Sequence, residues 1–299
     1  MSTRYVIGIL INTGACCATL LPHTAFLDTY KAIRARYQLN QEELPVTRKQ
    51  QEMLQQVMKD LQLPEEERKR IKIFNVHWYN MFHAGTTKFR NGGVIGIPQN
   101  YEYEHVDTVD RLNIFVDDKP IEWSKNAAKN FIKALVLSEN AKKFGIAREI
   151  FKLQTNDPLT RAMYASIHIT ISYIMYEIIF KKLRLKERPR WFHYSVLSAC
   201  VIASIGIFIG MLDFLNCQSD KGVDTQLSQL GPDYVQGGKE FYEKLIQRNI
   251  ALRSLLGEGG RYMYAMSGND NNMLRQATVP ITQRKNFFEF KLREFQQLV

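Results

Sequence analysis

The sequence has no acidic residue before Asp28, no Asn-x-Ser/Thr sequon and only four cysteines. Each absence excludes something. Without sequons, a large domain in the secretory lumen is disfavoured. Cys16, Cys17 and Cys200 sit inside apolar segments and Cys217 just past one, so neither a disulfide framework nor a zinc spacing follows. Enzyme signatures are missing as well: there is no Gly-x-x-x-x-Gly-Lys-Ser/Thr phosphate loop, no Gly-x-Ser-x-Gly elbow and no His-Glu-x-x-His helix.

What is present is a pair of long apolar runs, 162–180 (AMYASIHITISYIMYEIIF) and 192–212 (FHYSVLSACVIASIGIFIGML). They flank the loop 181–191, KKLRLKERPRW, which carries six Lys or Arg against one Glu. At about 1.5 Å per residue each run, as a helix, spans roughly the 30 Å of a bilayer's hydrocarbon, and a helix satisfies its own backbone there. The pattern is a transmembrane hairpin. With 45% hydrophobic residues and a mean hydropathy of −0.27, the chain is too polar for a polytopic transporter, and most of its 299 residues belong in water. The net charge of +10 is scattered rather than gathered into a nucleic-acid face, so no nucleic-acid partner is expected. Its densest cluster, Lys181, Lys182, Arg184, Lys186, Arg188 and Arg190, reads as an orientation signal, with anionic lipid head groups as a secondary ligand.

The apolar stretch within residues 1–27 is open to three readings: a cleaved secretory signal, an uncleaved targeting anchor, or a third span. A mitochondrial transit peptide is usually Arg-rich and amphipathic, and this segment has one Arg, Arg4. The third span is preferred. The expected fold is thus an α-helical membrane protein: a two-helix hairpin within 159–212, an N-terminal span, a soluble mixed α/β domain over 28–158, and a C-terminal helical region over 213–299. Within 28–63 the pattern predicts two helices broken at Pro45. IKIFNVHW, GGVIGIP and LNIFVDD predict a small sheet, followed by one long helix from about Ser124 to Leu153. NCQSDKGVDTQLSQLGPD reads as a polar connector, leading to a helix from Tyr234 to Leu256 and an amphipathic stretch NFFEFKLREFQQL.

The positive-inside rule puts 181–191 on the side from which the membrane was loaded and both soluble regions on the other. A third span keeps Arg4 on the loop's side, although Lys31, Arg34 and Arg36 then pull the opposite way. In the first hairpin helix Ser166, Thr170, Tyr173 and Glu177 form one polar stripe. In the second, Ala199, Ala203, Gly206 and Gly210 form a small-residue stripe. Small residues let helices approach and polar groups in lipid seek partners, so both faces should pack. The simpler expectation is that they pack on each other; the alternative is a partner's helix. Glu177, one turn from Lys181, is explained by an intrahelical pair or by snorkelling. His168 is a single histidine and weak evidence for a ligand.

Outside the membrane, GGVIGIP lacks the spacing of a nucleotide-binding turn and reads as a buried strand. Arg148, Glu149 and Lys152 lie where an integral-membrane zinc peptidase carries His-Glu-x-x-His, but two cations cannot coordinate zinc. A related scaffold would therefore be metal-free and inactive. Met263 and Met266, beside Tyr262 and Tyr264, read as packing rather than a Cu(I) pair. No catalytic residue, metal, cofactor or small-molecule substrate is expected.

Three blocks carry a family likeness: VIGIP at 94–98, LSENAKKFGIARE at 137–149, and GGKEFYEKLIQRNIALRSLLG from Gly237 followed by SGN at 267–269. In order and in distance from the hairpin they closely resemble the transmembrane protein 177 family. The resemblance implies a non-enzymatic protein of the mitochondrial inner membrane that supports cytochrome c oxidase biogenesis, associating with newly made subunit II and its assembly chaperone. On that implication the basic loop faces the matrix and the soluble regions the intermembrane space. The family carries no catalytic residues over to this chain. The sequence departs from the family pattern at its N-terminus and after Asn272.

Overall fold

The structure is a computed structural model that describes residues 3–38, 40–111, 114–116, 119–272 and 275–297. Helix α1 (Thr3–Leu20) is the N-terminal apolar segment, and α2 (Leu27–Arg34) follows a short 3-10 turn. Helix α3 (Arg48–Asp60) begins with a reciprocal capping box: Thr47 accepts from the Gln50 backbone and Gln50 accepts from the Thr47 backbone. The two helices expected across 28–63 are therefore present. The chain between them is extended, bridging Ala35 to Val76 and Tyr37 to Glu43.

After the short α4 (Glu65–Lys69), strands β1 (Ile71–Val76), β2 (Phe82–Gly85) and β3 (Gly93–Pro98) form a sheet of order β1-β3-β2. Strand β3 pairs parallel to β1 and antiparallel to β2, and every one of its residues is buried. That central position explains the unbroken apolar run in VIGIP, because both faces of a central strand are covered. The Leu153 side chain packs directly on Gly93 and the Phe74 ring on Gly96.

Three expectations need correction. LNIFVDD does not join this sheet: Phe115–Val116 (β4) pairs only with Lys119–Pro120 (β5), while Leu112, Asn113, Asp117 and Asp118 lie outside the described residues. The long helix from Ser124 to Leu153 is two helices, α5 (Asn126–Leu135) and α6 (Glu139–Gln154). Val136–Ser138 breaks it because Ser138 caps α6, accepting from the Ala141 N–H at 3.2 Å, and is itself held by the Glu240 carboxylate. The break lets α5 build a side core of Ile114, Ile121, Phe131 and Ala251 while α6 enters the main one.

The third correction concerns the polar connector. After α7 (Asp157–Lys182), helix α8 runs without interruption from Arg190 to Ser228, through the end expected for the hairpin at residue 212. Its 39 residues extend about 58 Å at ~1.5 Å each, roughly twice a bilayer's hydrocarbon. The second half leaves the membrane, and its Val223 and Leu227 are buried in the main core. The remaining helices are α9 (Pro232–Leu255), α10 (Glu258–Met263) and α11 (Ile281–Gln297). Pro232 opens α9 at its first turn, and Gly257, at φ +60°, ends the run.

The main core takes Ile95 and Ile97 from β3, Phe144 and Ile150 from α6, Phe241 and Tyr242 from α9, and Phe288 from α11. The α/β unit and the C-terminal helices therefore share one interior.

Candidate functional site at the foot of the membrane helices

Among the described residues three helices are long and apolar enough to cross a membrane: Val6–His23, Asp157–Lys182 and Arg190–Ser228. Their isoleucines point outward, Ile7, Ile171 and Ile202 among them, as a lipid-facing surface requires. Trp191 and Tyr194 are exposed at the loop end of α8, where amphipathic rings suit the head-group level.

The polar stripe of α7 faces α1 rather than α8. Ser166 donates to Asn12 Oδ1 at 2.5 Å, Asn12 Nδ2 donates to Thr170 Oγ1 at 3.1 Å, and Tyr173 lies against Gly8. Ascending numbers on α1 meet descending numbers on α7, so the two run antiparallel. The N-terminus of α1 thus sits at the same end of the bundle as the basic loop. Helix α8 meets α7 along a different line. His168 Nε2 and the Ser172 hydroxyl both reach Ser204 Oγ, at 2.9 and 2.8 Å, and the Tyr176 hydroxyl contacts His193 Nε2 at 2.7 Å.

The small-residue stripe is elsewhere again. Ala199, Ala203, Gly206 and Gly210 are all exposed, and a Cβ built on Gly206 or Gly210 meets no atom within 4 Å. The simpler expectation, that the two stripes pack on each other, is therefore not what the structure shows. Glu177 is half-buried near the loop end of α7, and Lys181, Lys182, Arg184, Lys186, Arg188 and Arg190 are all exposed.

Where α8 leaves the membrane it carries Asp220 and Asp224, one turn apart and both buried. Two like charges on one helical face need a shared cation, and Arg284 of α11 supplies it. Its guanidinium donates to both Asp224 oxygens at 2.6 and 2.7 Å, approaches Asp220 at 3.1 Å and lies 4.6 Å over the Tyr242 ring. Tyr242 donates to Asp224 at 2.8 Å, and Lys152 of α6 reaches Asp220 at 3.3 Å. Arg275 clamps Asp213 with two donors, and Asn216 joins Arg161 of α7 to the Ala277 carbonyl. The membrane helix is thus fastened to the soluble body by buried charge. Helical spacing of Asp220, Val223, Asp224 and Leu227 was the available signal; the polar composition of the segment concealed it.

The residues in the peptidase-like position have structural duties. Glu149 is buried, accepts from Arg148 Nε at 2.8 Å and contacts His83 Nδ1 at 2.6 Å, while Arg148 lies 5.1 Å over the Phe241 ring. Burial pushes the Glu149 carboxyl up, but the Arg148 charge and the His83 contact outweigh it and hold it well below the usual carboxylate range. Asp220 is lowered in the same manner, burial opposing and Arg284 with Lys152 prevailing. A carboxylate lowered in the folded state stabilises it above the unfolded pKa of roughly 4, and that contribution disappears as pH falls through the folded value. The melting temperature of the solubilised protein should be nearly flat from pH 8 to 6 and fall progressively below pH ~5. A flat profile down to pH 3 would contradict this.

Beside the network lies a cavity of about 340 Å³, walled by α6, α9, α11 and the segments around residues 80 and 100. Arg248 enters it from α9. It is 7% exposed, donates to the Tyr79 carbonyl at 3.0 Å and to Asn249 Oδ1 at 3.2 Å, and has no carboxylate at salt-bridge distance among the described residues. Asn249 in turn donates to the Gly268 carbonyl at 2.9 Å. Gly268 holds φ +81° with the Ile246 carbonyl where a Cβ would be, so the SGN block serves as the turn that receives Asn249. Asn100 and Tyr101 also line the cavity, and Asn100 Oδ1 and the Tyr101 hydroxyl are buried without a hydrogen-bond partner. Arg248, Asn249, Asn100 and Tyr101 were not picked out from the sequence, because nothing in a single helical Arg-Asn pair announces a cavity.

Residues 31–288 match the family model described as transmembrane protein 177. Transmembrane protein 177 of Xenopus laevis is 31% identical over 71% of this chain and 70% of its own length. The Danio rerio protein is 28% identical over 87% and 84%, and the Homo sapiens protein 25% identical over 95% and 91%. No solved structure matches the chain. The blocks that suggested the likeness are the ones that meet in space, β3 under α6 and α6 against α9. By its sequence along most of its length, the chain belongs to the transmembrane protein 177 family.

Proposed function

We propose that this protein is a non-enzymatic assembly factor of the mitochondrial inner membrane. It supports cytochrome c oxidase biogenesis by holding newly made subunit II and that subunit's assembly chaperone. The basic loop lies in the matrix and the soluble body in the intermembrane space. The observation that carries this reading is the small-residue face of α8, Ala199, Ala203, Gly206 and Gly210, which is open to a further helix while the polar stripe of α7 is occupied by α1. Close approach along small residues is how membrane helices associate. The continuous α8 then links a client helix in the bilayer to a folded body on one side of it. Ion pairs engage Arg148, Glu149 and Lys152, which favours a scaffold over a peptidase relic.

A photoreactive residue at position 203 should crosslink to subunit II in intact mitochondria, and pull-downs should recover the chaperone. A C-terminal tag should be protease-resistant in intact mitochondria and digested once the outer membrane is ruptured. Recovery of neither partner would sink the assembly reading. A second reading, a lipid organiser, is favoured by the six exposed cations of the loop. Unaltered lipid association after their neutralisation, with topology preserved, would dispose of it.

A further inference from the structure

Among the described residues Arg248 is a buried guanidinium with no carboxylate at salt-bridge distance, in a cavity lined also by Asn100 and Tyr101, each of which holds a buried, unpartnered polar atom. Burying a charge without compensation is costly, and so is leaving a buried acceptor or hydroxyl unpaired. Five cations line the cavity: Arg148, Lys152, Lys244, Arg248 and Arg284. Asp220 and Asp270 line it too, and Glu149 and Asp224 stand behind Arg148 and Arg284. Arg148, Lys152 and Arg284 contact Glu149, Asp220 and Asp224, and Lys244 donates to the Lys133 carbonyl, whereas Arg248 meets only neutral acceptors at contact, with Asp270 acting on it from beyond salt-bridge distance. The volume is on the order of ten times the ~30 Å³ share of a water, and falls at the lower end of the ~300–1,000 Å³ range of small-molecule sites. Phe241, Leu245 and Ala134 give the walls an apolar portion.

We infer that this cavity binds a small organic carboxylate, its charge on Arg248 and one oxygen on the Tyr101 hydroxyl. A single negative charge matches the one guanidinium that lacks a contacting carboxylate, whereas a phosphate monoester brings nearly two charges. An apolar body fills the remaining space against Phe241 and Leu245. The Tyr101 hydroxyl donates to the ligand's oxygen. The inference stands apart from the assembly reading, since a client helix on α8 requires no ligand here.

The test uses the full chain in lipid nanodiscs, titrated separately with sodium benzoate, acetate, phosphate and chloride, with thermal unfolding and calorimetry as readouts. Benzoate is expected to bind saturably, raise the unfolding temperature by several degrees near saturation, and bind more tightly than acetate. Arg248→Gln should weaken benzoate binding about tenfold or more, and Tyr101→Phe severalfold. Arg293→Gln, on the exposed face of α11, should leave it unchanged. No saturable benzoate response, an equal response in Arg248→Gln, or an equal shift with chloride overturns the site. Tighter binding of phosphate than of either carboxylate overturns the assigned ligand class. If Arg248→Gln fails to fold, Tyr101→Phe decides, because it removes only an unpartnered hydroxyl, and unchanged affinity there refutes the proposal.

Discussion

Arg284→Met should destabilise the protein by about 3–5 kcal/mol, the usual consequence of removing one partner from a buried ion pair. The methionine fills much of the guanidinium's volume, so the loss comes from charge rather than from a cavity. It leaves Asp224 with the Tyr242 hydroxyl alone and Asp220 with Lys152 alone, both carboxylates buried. Arg284→Met combined with Asp224→Leu should recover much of the loss, because an apolar replacement of a whole buried pair is often neutral or better. Chemical unfolding of the four proteins in the cycle measures the coupling between the two residues. A single-variant loss below about 1 kcal/mol would show the network to be solvated and incidental. The variant has a second readout. Residues 213–228 of α8 are held by Arg275, Arg284, Lys152 and Tyr242, so proteolysis should cut there first if the clamp is released.

That clamp marks the boundary of what the sequence discloses. The three spans, β1, β3, α9 and α11 follow from local signals: apolar runs of bilayer length, β-branched strands between turn residues, and glycine stops. The missed features are those in which a tertiary partner overrides composition. NCQSDKGVDTQLSQ is polar enough for a loop, and it is helical because Val223 and Leu227 enter the core while Asp220 and Asp224 find Arg284, some 60 residues later in the chain. FHAG does not read as a strand, since Gly85 at φ +84° belongs to a turn; its pairing with β3 makes it one. The stripe Ser166, Thr170, Tyr173 and Glu177 was visible by its spacing. Its partner was not, because Asn12 stands beside Thr13 in an apolar segment with no polar stripe of its own, and only the antiparallel approach of α1 brings it opposite. The peptidase-like Glu149 shows the converse. Its position in a motif is legible, but the contacts with Arg148 and His83 assign it to the interior, so Glu149→Gln would disturb folding whether or not the ancestor was an enzyme.

Gly237→Ala should lower stability by about 2 kcal/mol or more, although the same exchange raises helix propensity. Helices α6 and α9 cross with backbone against backbone: a Cβ on Gly237 would lie only 2.4 Å from the Asn140 carbonyl oxygen. The next residue is as confined, its Cβ direction blocked by the Phe144 ring at 2.6 Å and the Phe288 ring at 2.8 Å. A flexible side-chain tip moves aside at small cost, but a carbonyl in the first turn of α6 cannot. The helices must separate, opening the layer between Phe144, Phe241 and Phe288, where each fully buried side chain contributes roughly 1.5–3 kcal/mol. Gly222 of α8 is the internal control. It is helical, exposed and has no atom within 4 Å of its Cβ direction, so Gly222→Ala should gain up to about 1 kcal/mol from propensity alone. Opposite signs for the two substitutions in chemical unfolding would establish that close backbone approach, rather than flexibility, fixes glycine in the GGKEFYEKL block. Equal signs would mean that α6 and α9 are free to move apart.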